Sequence, residues 1–216
     1  MEHIKELFLF DDKFAYPVIG TDEAGRGPAA GGVFAAAVHF REKSDKLAEG
    51  LTALNDSKQL SRKKREALYD IIKNETLNSV VCIEVEEIER INILNASLKA
   101  MRLACNNVIE SLKSEKVLVL VDGNKLIKEF KYPQKFIVKG DSKSASIAAA
   151  SILAKVTRDR YMEELDNKYP EYGWCRNAGY LTKEHLTAID KFGLTEFHRP
   201  SFLKKHFEKQ KQLSLF

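Results

Sequence analysis

Carboxylates in three short blocks are the groups of this chain best suited to chemistry: Thr21-Asp22-Glu23-Ala24-Gly25-Arg26-Gly27, Val121-Asp122-Gly123-Asn124 and Lys139-Gly140-Asp141-Ser142. The first two follow apolar runs, Tyr16 to Gly20 and Val117 to Val121, that read as buried strands. An acid at the end of such a strand loses several kcal/mol of hydration unless it is paired or neutralised. A divalent cation satisfies several acids at once. Hard oxygen donors suit Mg²⁺ or Mn²⁺, and no Cys or His stands at zinc-ligand spacing. Asp22, Glu23, Asp122 and Asp141 are the candidate ligands, provided the fold gathers them.

Adjacent side chains on an ideal strand point to opposite faces, so Asp22 and Glu23 can share an ion only where the strand ends, twists or bulges. Gly25 and Gly27 make such a departure cheap and let backbone N–H groups approach a ligand, while Arg26 adds a fork suited to phosphate. Neither a Gly-x-Gly-x-x-Gly fingerprint nor a Gly-Lys-Ser/Thr ending is present, so a Rossmann site and a P-loop are not supported. Asp11, Asp12, Asp56 and Asp159 read as surface, capping or structural groups. His185 and His198 read as packing or capping residues, since a metal-activated water needs no histidine base.

The elements that must position these groups follow in order. Tyr16 to Gly20 and Gly31 to Phe40 read as a hairpin pair of strands, and Ser61 caps a helix to about Lys73 with Ala67, Leu68, Ile71 and Ile72 inward. Val80 to Val85 reads as a strand, Asn92 to Leu112 as a long helix, and Val117 to Val121 and Lys135 to Val138 as strands leading to Asp122 and Asp141. Ala145 to Lys155 is an alanine-rich helix, and Thr182 to Phe192 and Phe202 to Lys211 are two more. The intermixing predicts an α/β domain with a helical C-terminal portion.

With 216 residues and 44% apolar content, the chain supports one compact domain. The net charge of +4 is modest, but basic residues cluster in Ser61 to Arg65, Lys125 to Lys143 and Lys204 to Lys211, which suits a polyanion beside a metal site. Cys82, Cys105 and Cys175 form no Cys-x-x-Cys pair, so neither a disulfide framework nor a zinc knuckle is expected and a reduced, cytoplasmic compartment is. The charged N-terminus offers no secretory signal and no segment offers a membrane span.

Taken in order, Thr21 to Pro28, Asp56-Ser57-Lys58, Asn92 to Ser97, Val121 to Asn124, Lys139-Gly140-Asp141 and Ala149 to Asp159 resemble bacterial ribonuclease HII, over about Gly20 to Phe202. The resemblance implies a ribonuclease-H-like mixed sheet flanked by helices. It implies that Asp22, Glu23, Asp122 and Asp141 are metal-binding catalytic acids holding two ions, Mg²⁺ or Mn²⁺. The family hydrolyses RNA in RNA–DNA hybrids and incises 5′ to ribonucleotides embedded in duplex DNA, leaving 3′-hydroxyl and 5′-phosphate ends. Gly25, Arg26 and Gly27 would read the 2′-hydroxyl, and Tyr180 would stack on the neighbouring deoxyribose. Lys58 and Lys143 would contact phosphates. The family often has a basic residue before the Gly-Tyr pair, where this chain has Ala178. Ribonuclease HIII is the poorer match, because it usually carries an extra N-terminal substrate-binding domain.

The last five residues, Gln212-Leu213-Ser214-Leu215-Phe216, resemble the peptide with which bacterial repair proteins dock on the β sliding clamp. Leu213, Leu215 and Phe216 would be apolar anchors and Gln212 a hydrogen-bonding group. The expected organisation is a catalytic domain over 1–195, a helix over 196–211 and a clamp-binding tail over 212–216, in a monomer.

Overall fold

The computed structural model describes residues 2–54, 60–114 and 116–213. Lys58, Asp56, Leu215 and Phe216 lie outside the described residues. Five strands form one mixed sheet in the order β3-β2-β1-β4-β5: β1 (Val18–Ala24), β2 (Val33–Phe40), β3 (Thr76–Ile83), β4 (Leu118–Asp122) and β5 (Gln134–Ile137). The first three strands are antiparallel neighbours, whereas β1, β4 and β5 run parallel. Parallel pairing needs a crossover, and α5 (Ile93–Leu112) supplies the one between β3 and β4.

Two helices sandwich the sheet. On one face α5 buries Ala96, Ala100, Met101, Ala104 and Cys105 against Ile19, Ala35, Ala37, Val119 and Val121. On the other, α6 (Ala145–Lys168) lays Ile147 on Leu118 and Leu120, and its alanines on Ala36 and Val38. The small residues set how close that helix comes: a Cβ on Gly20 would fall 2.2 Å from the Ser146 carbonyl carbon. An aspartate from α1 (Glu2–Asp12) closes the N-terminus of α6. The carboxylate of Asp11, 2% exposed, accepts from Ser144 Oγ at 2.6 Å, Ser146 N–H at 3.0 Å and Ser146 Oγ at 2.8 Å. A carboxylate there satisfies free N–H groups and complements the helix dipole.

Short helices α2 (Asp45–Gly50), α3 (Arg62–Glu75) and α4 (Val85–Ile91) flank the antiparallel side. The C-terminal part, α7 (Trp174–Asn177), α8 (Lys183–Phe192) and α9 (Pro200–Leu213), packs with the end of α6 around Trp174, Tyr172, Met162 and Leu203. Among the described residues no helix is long and apolar enough to cross a membrane.

Several expectations are corrected. The first strand runs through Ala24, so Asp22 and Glu23 lie on it and not after it. Strand β3 ends at Ile83, and Val85 opens a helix; Ala67 faces solvent, leaving Leu68 and Ile72, buried, and Ile71, half-buried, as the stripe of α3. Of the surface, capping or structural roles expected for Asp11, the deeply buried carboxylate takes the capping one. The last helix extends to Leu213, two residues past its expected end at Lys211.

Candidate active site

Parallel register brings the first two acids together. The β1–β4 ladder pairs Val18 with Leu118 and advances residue for residue to Thr21 with Val121, so Asp22 and Asp122 are next in line. Neighbours in a parallel ladder share a face, with strands about 4.8 Å apart. Here it is the α6 face, and the Ser151 hydroxyl of α6 donates to the Asp22 carboxylate. Burial pushes the Asp22 carboxyl far above the ordinary range, and the charges of Glu23 and Asp122 push it further. Asp22 is only 7% exposed.

Glu23 follows on the same strand end, its charge near enough to Asp22 to raise that carboxyl, and its Oε1 accepts from Arg26 at 3.1 Å. Glu23 N–H also donates to Asp22 Oδ1 at 2.7 Å. Asp141 stands on the turn Gly140–Ser142, and the Gly140 N–H donates to Asp122 Oδ1 at 2.7 Å, tying the second and third acidic blocks together. Among the described residues no group of three or more His, Cys, Asp or Glu side chains is set to hold a metal ion as the side chains stand. The donor chemistry nonetheless fits a hard divalent cation: carboxylate oxygens, one of them buried beside two like charges, gain most from a small 2+ ion.

The glycine loop follows at once. Gly25 has φ +98°, and a Cβ there would fall 2.3 Å from Arg158 Nε. Arg158 of α6, 2% exposed, donates to the carbonyls of Ala30 at 3.2 Å and Ala178 at 3.1 Å, joining this loop to the turn that carries Tyr180. Arg199, fully buried, donates to Pro28 O at 2.8 Å and from two nitrogens to Gly31 O. Burial, and then the nearby Arg158 charge, push the Arg199 guanidinium down to about 10. Two buried cations thus sit behind the loop. In front of it, a Cβ on Gly27 would lie 3.1 Å from Tyr180 Cε1, so the ring rests on that glycine. Tyr180 is 53% exposed. Lys143 is exposed and donates to the Val138 carbonyl at 2.8 Å.

Ser151 and Arg158 lie in the Ala149 to Asp159 motif but carry no role there that residue type alone suggests; Arg199 offered only its place between His198 and Pro200.

A family model described as Ribonuclease HII matches residues 19–210. The chain belongs to the ribonuclease HII family. It is 51% identical to Ribonuclease HII of Fusobacterium nucleatum over 216 residues, 98% of each chain. The fold resembles that of RNase HII in its complex with PCNA from Archaeoglobus fulgidus, with TM-score 0.66 and 25% identity, covering 85% of this chain and 93% of that one. It also resembles Bst-RNase HIII in complex with Mn²⁺, with TM-score 0.70 and 17% identity over 97% of this chain and 73% of that one, a likeness of fold alone. Membership makes the protein an endoribonuclease of the ribonuclease H type, as the sequence motifs led one to expect.

Proposed function

We propose that the chain hydrolyses the RNA strand of RNA–DNA hybrids and incises on the 5′ side of ribonucleotides embedded in duplex DNA, leaving a 3′-hydroxyl and a 5′-phosphate, in the removal of ribonucleotides from DNA. One juxtaposition carries the reading: the acids of β1 and β4 open directly onto a glycine loop on which Tyr180 rests. A site that needs to tell RNA from DNA must hold cleavage groups and a sugar-reading surface within one nucleotide of each other.

Asp22, Glu23, Asp122 and Asp141 would hold the ions. Mg²⁺ or Mn²⁺ bound there, two in the working enzyme, would supply activation of water and charge neutralisation at the scissile phosphate. The backbone N–H groups of Gly25 and Gly27 face the 2′-hydroxyl, and Arg26, steered by Glu23, meets phosphate. Tyr180 offers its exposed ring to the deoxyribose beyond the junction. Lys143 exchanges its carbonyl partner for phosphate, and Lys58 is a second phosphate contact. Gln212, Leu213, Leu215 and Phe216 dock on the bacterial β sliding clamp; the support is the clamp complex of the archaeal relative. The protein works as a cytoplasmic monomer.

Matched duplexes differing by one 2′-hydroxyl test this reading. Cleavage of the ribonucleotide-bearing duplex alone is expected, and equal cutting of both would overturn it.

A further inference from the structure

Two buried histidines stand behind the turn that carries Tyr180. His185 of α8 is fully buried and His198 is 1% exposed, and the hydrogen bonds around them fix which nitrogen of each carries its proton. The Tyr180 carbonyl lies 2.9 Å from His185 Nδ1. A carbonyl can only accept, so Nδ1 holds the proton and Nε2 is left as an acceptor. Trp174 Nε1–H donates to that Nε2 at 3.1 Å, and His198 Nε2 also stands 3.1 Å from it, so the two share its one lone pair. Two ring nitrogens at this separation bond only if one donates, so His198 carries its proton on Nε2. Its Nδ1 is then an acceptor, and the Thr195 backbone N–H meets it at 2.9 Å. Each nitrogen has one role. Backbone groups that cannot reverse, the Thr195 N–H and the Tyr180 carbonyl, fix both ends of the chain.

The turn at its end is tied down at other atoms, with Gly179 O receiving the Ala29 N–H at 2.9 Å, Ala178 O the Arg158 guanidinium at 3.1 Å and Asn177 O the Tyr180 N–H at 2.9 Å, but the Tyr180 carbonyl itself depends on His185. Ala178 and Gly179 both adopt positive φ, 49° and 81°, and the Tyr180 carbonyl receives only one further bond, from Thr182 N–H at 2.8 Å. On the far side of the same residue, the ring rests on Gly27.

We propose that His185 is a positioning residue: its Nδ1–H, oriented by Trp174 and His198, fixes the Tyr180 backbone and so sets how the ring meets a ribonucleotide–deoxyribonucleotide junction. This rests on the reading of Tyr180 as the junction contact. The histidines then govern substrate choice, embedded ribonucleotide against continuous RNA, and not the bond-breaking step.

Two isosteric substitutions separate this role from simple packing. His185→Asn places an amide nitrogen where Nδ1 was, keeping the donor to Tyr180 but leaving Trp174 and His198 without an acceptor. His185→Gln places the amide near the old Nε2, keeping that acceptor but losing the donor. Each is assayed, at a temperature where circular dichroism shows it folded, for kcat/KM on a duplex with one embedded ribonucleotide and on a continuous RNA–DNA hybrid. The ratio of the two is expected to fall about tenfold in His185→Gln and in Tyr180→Ala, and to hold within about threefold in His185→Asn. A preserved ratio in His185→Gln, or equal losses in the Asn and Gln variants, overturns the proposal. An unchanged ratio in Tyr180→Ala instead overturns the reading of Tyr180. Imidazole ¹⁵N shifts of the unmutated protein give an independent check if a variant does not fold: Nδ1–H on His185 and Nε2–H on His198 are expected, and the opposite tautomers overturn the proposal.

Discussion

Gly27 and the ring of Tyr180 are in direct contact: a methyl group at position 27 would stand 3.1 Å from Cε1 and 3.5 Å from the hydroxyl. The neighbouring glycine is constrained differently, by φ +98° and by a buried guanidinium 2.3 Å from where its Cβ would be.

Gly27→Ala and Gly25→Ala therefore fail in different ways. The first displaces an exposed ring that can swing away, so stability changes by less than about 0.5 kcal/mol while kcat/KM on a junction substrate drops about tenfold. The second strains the backbone and crowds Arg158, costing about 2–3 kcal/mol in chemical denaturation as well as activity. Equal stability losses would show that the two glycines serve the same purpose.

Removing charge from the acidic blocks is expected to relieve the fold and abolish turnover. Asp122→Asn takes one like charge away from buried Asp22, so thermal midpoints without divalent ions are expected to rise by a few degrees, about 1 kcal/mol. Mn²⁺ should raise the midpoint of the unmutated protein by mass action and leave the variant nearly unmoved. Chelation should abolish cleavage without unfolding the protein. Thermal shift with and without ion, alongside a gel assay, reads all three outcomes.

Asp11→Asn tests the cap remote from the chemistry. The carboxylate accepts three hydrogen bonds, from Ser144 Oγ and from the N–H and Oγ of Ser146. An amide retains one accepting oxygen and turns two donors against the others, costing about 1–3 kcal/mol with kcat unchanged. Urea denaturation and initial rates check the pair.

Acidification should unfasten the histidine chain. Burial, and then the facing His185, push His198 down from 6.5 to about 4, and burial pushes His185 the same way. The unfolded chain takes up its proton first as pH falls. Stability from His198 is thus complete above about pH 6.5 and is lost progressively toward pH 4, about 3 kcal/mol in all. Urea midpoints across that window measure the slope, and His198→Gln should flatten it.

Much of this fold could be read from residue pattern, because its core elements are strongly periodic. Ser61 capping α3 announces itself by chemistry. What stayed hidden lacked punctuation. Helix α3 passes into β3 between Glu75 and Thr76 with no Gly or Pro to mark the change, and the mixed charges of α1 obscure its Ile4, Leu7, Phe8 stripe. The polar second half of α6 concealed thirteen further helical residues, from Val156 to Lys168. At the site, the acids were visible as unexplained carboxylates in apolar surroundings. The buried bases behind them were not, because Arg158 and Arg199 bind main-chain carbonyls, which leave no mark on residue type. Tyr180 illustrates the difference: its identity came from a motif, its exposure and its rest on Gly27 only from the fold.

The stretch that begins α9 also shapes the other end of the chain. Phe197 O receives the Gly31 N–H at 2.8 Å, Arg199 N–H returns to Ala29 O at 2.7 Å, and the Arg199 guanidinium gathers the carbonyls of Pro28 and Gly31. During synthesis the glycine loop leaves the ribosome long before the arginine that braces it. Gly31 and Arg199 stand 168 positions apart, so the loop gains its brace only after nearly all of the chain has emerged.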